Sequence, residues 1–170
     1  MESRRLAYYT AAHMLVDMCC FYILYGCVLS CAKLGVTAAV LCFVLYNTLA
    51  FGLQAVFGYI ADKSADKGKR IQGSMAVAGC SLLTAAVVGA YLPALLAGSN
   101  TCSGAAAYAA ALTAAVGNAL FHTGGGTDTL LSGEGRMAPN GIFVASGATG
   151  VALGTLAGRY FPMYGCASGN

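Results

Sequence analysis

The chain has 170 residues, 58% of them hydrophobic and only 9% charged, against roughly 45–50% and 25% in soluble domains. The length would allow a soluble core, but the charges are too few to coat one, so the composition points to a membrane. The net charge of +3 is accounted for by loop residues and gives no reason to expect nucleic acid as a partner.

Five segments reach the ~20 mostly apolar residues that crossing a bilayer takes: residues 6–32, 36–61, 71–97, 103–125 and 139–158. The expected fold class is therefore an all-α integral membrane protein with five transmembrane helices in a single domain. The first span is too long for a cleavable signal peptide, contains Asp17, and lacks a small-residue cleavage site before more membrane follows. It carries His13 and Asp17 four residues apart, hence on one helix face, with Asp17 near the middle. Charge at the centre of a bilayer costs ~2.5–3.5 kcal/mol per residue, so such a pair faces the bundle interior or a watery cavity and marks a functional site. A low-dielectric setting favours the neutral form of an acid. Asp17 is thereby suited to carrying a proton, and His13 to passing it toward the mouth. The plainer alternative is a neutral Asp17 that only holds helices together.

The second span carries Asn47 and Gln54, seven apart and on one face; interhelical hydrogen bonding explains them as well as solute contact does. It then runs abruptly into a basic loop, residues 62–70, where Lys63, Lys67, Lys69 and Arg70 supply four of the nine basic residues. The fourth span ends in Gly117–Leu130, GNALFHTGGGTDTL. Running in the opposite direction to the first, it should bring His122 to about the depth of His13, so that His13, Asp17, His122 and Asn118 form a polar cluster. The triplet Gly124–Gly126 is no nucleotide loop, since no strand precedes it and no Gly-Lys-Ser/Thr follows. Close helix packing, a loosened helix end and a gating hinge all remain open for it. In the fifth span Gly147, Gly150, Gly154 and Gly158 recur at spacings of three and four, a smooth stripe for close packing or for sliding against another helix.

Cys19, Cys20, Cys27, Cys31, Cys42 and Cys80 lie within apolar spans without a CxxC pair or clustered histidines. They are read as small packing residues, although Cys27 and Cys31 share a face. No nucleophile–base pair or metal triad is evident, so neither an enzyme nor a cofactor or metal is expected. Arg4 and Arg5 before the first span, residues 62–70 after the second and Arg136 after the fourth all fall on one side of the membrane. The positive-inside rule makes that side cytoplasmic, N-terminus included, with Arg159 a mild exception. The expected location is the cell membrane, as a multi-pass protein, the inner membrane where a cell has two.

Taken together these residues resemble the N-terminal part of a major facilitator superfamily transporter, most nearly the fosmidomycin-resistance efflux proteins. His13-Met14-Leu15-Val16-Asp17 resembles that subfamily's HLxxD pattern in the first helix. Tyr46 to Lys63 resembles its tyrosine-to-DK stretch, and Phe121-His122 its FH pattern. Gly58, Asp62 and Lys63 match the first half of the superfamily motif between helices two and three, and Gly68, Lys69 and Arg70 match the second half. The resemblance implies a cytoplasmic latch at these residues. Ser64–Lys67 is an insertion, and Asp66 duplicates the acidic position, leaving open which of Asp62 and Asp66 makes the latch. Thr123 stands where the exporters tend to have proline.

The resemblance further implies twelve helices in two six-helix halves, each half made of inverted three-helix repeats. Five spans supply one repeat and most of a second. The chain is therefore expected to be a fragment, or a small protein that pairs with a second copy or with a missing C-terminal half. The function expected is secondary active transport of a small organic solute coupled to protons. Asp17, His13 and His122 would carry the proton, with Asn47, Gln54 and Asn118 lining the solute path. The alternative is a non-transporting membrane protein that assembles with a partner through its glycine faces.

Overall fold

The computed structural model describes residues 2–31, 34–97 and 103–162. The chain is all-helical, with no strand among the described residues. In order these are α1 (Glu2–Tyr22), continued by a π-helical segment (Ile23–Leu29), α2 (Gly35–Ala65), α3 (Gln72–Ala97), α4 (Gly104–Ser132) and α5 (Ala138–Tyr160). All five helices are long and apolar enough to cross a bilayer. Lys33, the 98–102 connection and the polar tail from residue 163, on which parts of the sequence reading rest, lie outside the described residues.

Local chemistry accounts for the helix ends. Ser103 caps α4, its Oγ accepting from the Ala106 amide at 3.4 Å. Pro139 sits in the first turn of α5, where its missing N–H costs no intrahelical bond. Left-handed Gly68 (φ 71°) turns the chain after α2, and Glu134 with Gly135 (φ 50° and 80°) turns it between α4 and α5.

Three boundaries differ from the sequence reading. Helix α2 continues to Ala65, taking Asp62 and Lys63 into its last turn, so the loop is shorter than 62–70. Helix α4 passes unbroken through Gly124–Gly126 to Ser132. A Cβ on Gly124 would run into the Gln72 carbonyl and stand 2.7 Å from the Ala76 amide nitrogen of α3. The triplet's first glycine thus serves close packing and does not end the helix. The last turns of the first span are π-helical, with the Ser30 hydroxyl donating to the Gly26 carbonyl. Cys31 is disulfide-bonded, a correction to its reading as a packing residue.

Helix α4 is the hub. It packs on α3 and α2, and also touches α1 and α5, while α5 lies along α1 and the π segment. The closest approaches are made at glycines. On the α3–α4 crossing, a Cβ on Gly79 would lie 2.6 Å from the Gly117 carbonyl, and one on Gly117 would lie 2.8 Å from the Gly79 carbonyl. On the α1–α5 crossing, Gly150 faces the Met14 carbonyl, Gly154 the Met18 carbonyl and Gly158 the Gly26 amide. The α5 stripe is thus consumed within the chain. Arg5 and Arg70 border one cavity, and Arg5 and Arg136 another, so the basic residues of three segments gather at one end of the bundle.

Candidate functional site

Spacing on α1 puts His13 and Asp17 on the face turned toward α4 and α5. Both are buried, at 4% and 8% exposure, and so is Asn118 of α4 at 5%. His13 Nε2 lies 3.2 Å from Asp17 Oδ2, and His122 Nε2 lies 3.6 Å from Asp17 Oδ1. The two imidazoles meet edge to face, centroids 4.5 Å apart at 84°, with their Nε2 atoms 2.8 Å apart. The Asn118 amide donates to Asp17 Oδ1 at 3.2 Å and to Cys20 Sγ at 3.5 Å, holding the carboxylate in place.

The hydrogen bonds at the far side of each ring determine what happens between them. His13 Nδ1 is 2.7 Å from the Phe143 carbonyl of α5, and His122 Nδ1 is 2.9 Å from the Asn118 carbonyl one turn back on α4. A carbonyl oxygen can only accept, so both Nδ1 atoms carry hydrogen. Neutral rings would then point two Nε2 lone pairs at each other across 2.8 Å, a repulsive contact. One positive charge between the nitrogens turns it into a charge-assisted hydrogen bond. Asp17 is the acidic group that stands beside both nitrogens, where it can balance such a charge.

Two α5 residues outside the sequence-predicted set complete the site. Phe143 stacks its ring on His13, centroids 4.1 Å apart at 21°, besides accepting through its carbonyl. Ser146 donates to the same carbonyl at 2.7 Å. The signal for Phe143 was its place four residues before Gly147, on the face that α5 turns to α1. Gly147, expected as part of a stripe for close packing or sliding, makes room for the polar cluster. A Cβ there would stand 2.5 Å from His13 Nε2 and 2.6 Å from Asp17 Oδ2.

The other predicted residues lie elsewhere. Asn47 is exposed and donates to the Phe43 carbonyl, and half-buried Gln54 donates to the Ala50 carbonyl; each bonds within α2. Of the residues expected to form a latch, Asp62, Lys63, Asp66, Gly68, Lys69 and Arg70 are exposed and Gly58 is half-buried. Lys63 pairs loosely with Asp66 at 4.0 Å and lies over the Tyr59 ring at 5.7 Å. A Cβ on Gly58 or Gly68 would meet open space, and Lys67, Lys69 and Arg70 are exposed. Thr123 is buried, its hydroxyl bonded to the Ala119 carbonyl. Toward the basic end, Tyr9 sits against Asp128 with Arg5 alongside. Comparison with protein families, with curated proteins and with solved structures returns no match.

Proposed function

We propose that the chain is a secondary transporter, or the N-terminal part of one, that moves a small organic solute across the cell membrane coupled to protons. The observation that carries this reading is the buried contact between His13 and His122, whose facing nitrogens call for one positive charge beside Asp17. A proton is the smallest charge that fits there, and intramembrane groups of this kind form relays in pumps and transporters. The helix pairing supports the resemblance to the major facilitator superfamily. An inverted three-helix repeat exchanges helix one with four and two with five, and the α1–α5 and α4–α2 contacts are such an equivalent pair. His13 and His122 come from the two helices that this exchange relates.

The basic end, with Arg5, Arg70 and Arg136, is the cytoplasmic one in this reading, and the N-terminus lies there. The disulfide at Cys31, just beyond the π-helical continuation of α1 at the opposite end, agrees, because disulfides persist in oxidising compartments. Asn47 and Gln54 remain candidates for solute contact from α2, and Asp62 or Asp66 for the latch. Assembly with a partner through the glycine faces has less to support it, since Gly147, Gly150, Gly154 and Gly158 are buried against α1 and its π-helical continuation.

The test is proton movement in proteoliposomes carrying a pH-sensitive dye, challenged with a panel of small organic cations, anions and neutral solutes. Solute-dependent proton flux that disappears in Asp17→Asn is the expected result. Flux that persists in Asp17→Asn, or none with any solute in well-folded protein, would overturn the reading.

A further inference from the structure

The cluster has a second capacity that does not rest on transport. His13, Asp17 and His122 each offer one ligand atom, all within 4.8 Å of one another. The members of this triad are 4 and 105 positions apart in the sequence, where they are expected to cluster but not to ligate a metal. We propose that these three side chains form a binding site for one divalent transition-metal ion of the zinc class.

Four features point to an ion of that class. The two Nε2 atoms lie 2.8 Å apart, His13 Nε2 is 3.2 Å from Asp17 Oδ2, His122 Nε2 is 3.6 Å from Asp17 Oδ1, and one ligand atom from each residue falls within 4.8 Å of the others. A small turn of the carboxylate would set one oxygen near both rings, toward the roughly 3.3 Å between ligands of a tetrahedral site with metal–nitrogen bonds of about 2.0–2.1 Å. Seating the ion needs the two rings to part by about 0.5 Å at that geometry. Both Nδ1 atoms donate to backbone carbonyls, the outer bond that orients a metal-ligating histidine and leaves its Nε2 lone pair for the ion. Asn118 holds the carboxylate in the same way. Two imidazoles and one carboxylate suit zinc, cobalt or nickel and are poor for magnesium or calcium, which take oxygen ligands. Finally, the missing Cβ of Gly147 lets the α5 backbone lie directly against His13 Nε2 and Asp17 Oδ2, holding these two ligand atoms side by side.

The experiment is equilibrium dialysis of the full chain, purified in detergent with a histidine-free tag, against Zn2+ and separately Co2+ in excess Mg2+, with no solute and no gradient. One ion per chain is expected. Cobalt should show visible ligand-field bands without a sulfur-to-metal band in the near ultraviolet. Binding should vanish in His122→Gln and weaken about 10–100-fold in Asn118→Ala, where only an outer-shell partner is lost. No bound ion, a sulfur-to-cobalt band placing the ion on cysteines, or undiminished binding in folded His122→Gln would overturn the proposal. The wild-type cobalt spectrum keeps it falsifiable if a variant does not fold. Because solute flux is not measured, failure here leaves the transport reading to its own test.

Discussion

Helices α3 and α4 cross at glycines, and so do α1 and α5, yet the two crossings do different things. At α3–α4, Gly79 and Gly117 bring backbone against backbone and the contact carries no charge. At α1–α5, Gly150 and Gly154 do the same, but Gly147, one turn earlier, opens onto His13 and Asp17. The lesson is that one sequence device, a small residue at a close crossing, can serve as plain packing or as the wall of a buried polar site. What decides is whether the opposing atoms are rigid backbone or the ends of side chains.

Substitutions at the two crossings should separate these roles. The largest loss of stability is expected for Gly79→Val and Gly117→Val, where added carbons meet a carbonyl that cannot move aside. Overpacking of this kind costs about 1–3 kcal/mol or more, and a lowered midpoint of thermal unfolding in detergent is the measure. If these variants melt like the parent, α3 and α4 do not cross as closely as the structure has them. Gly147→Ala should unfold later than either, because His13 and Asp17 can rotate away. It should nevertheless lose solute-dependent proton flux and metal binding. A Gly147→Ala protein with an intact site would erase the distinction between the crossings.

Asp17→Asn sharpens the comparison from the other side. It removes the counter-charge while keeping the shape, so the positive charge between the rings loses its partner. In nitrogen-15 spectra of labelled histidine, the parent should show both Nδ1 atoms protonated and a shared proton between the Nε2 atoms. The variant should show two neutral rings. The smallest effect is expected at the exposed Lys63–Asp66 pair, 4.0 Å apart with both side chains mostly in solvent. There Asp66→Asn should change stability by at most about 1 kcal/mol, so a large change in unfolding would mean that the pair is part of a tighter latch.

Much of this was legible in the chain. The five apolar runs locate the helices to within a few residues at most ends, because length and hydropathy are local properties. The spacing of His13 and Asp17 puts them on one face by helix geometry alone, and opposed directions put His122 near their depth. The misread ends have local causes of another kind. Gly124–Gly126 has the composition of a broken helix, but the neighbouring α3 backbone needs the space that its first glycine leaves. Asp62 and Lys63 look like loop, but they extend the last turns of α2.

What the sequence determined by itself is therefore the set of helices, the faces they carry and the end at which the positive charge collects. All of these follow from periodicity and from the cost of charge in an apolar medium. What only the tertiary structure decided is which face meets which. That Phe143 fixes the proton on His13, that Asn118 holds Asp17, that Gly147 yields its volume to a carboxylate and an imidazole, and that two Nε2 atoms point at each other are consequences of helix crossings between residues more than a hundred positions apart. No period along the chain encodes such crossings. They are selected by the close packing of all five helices at once.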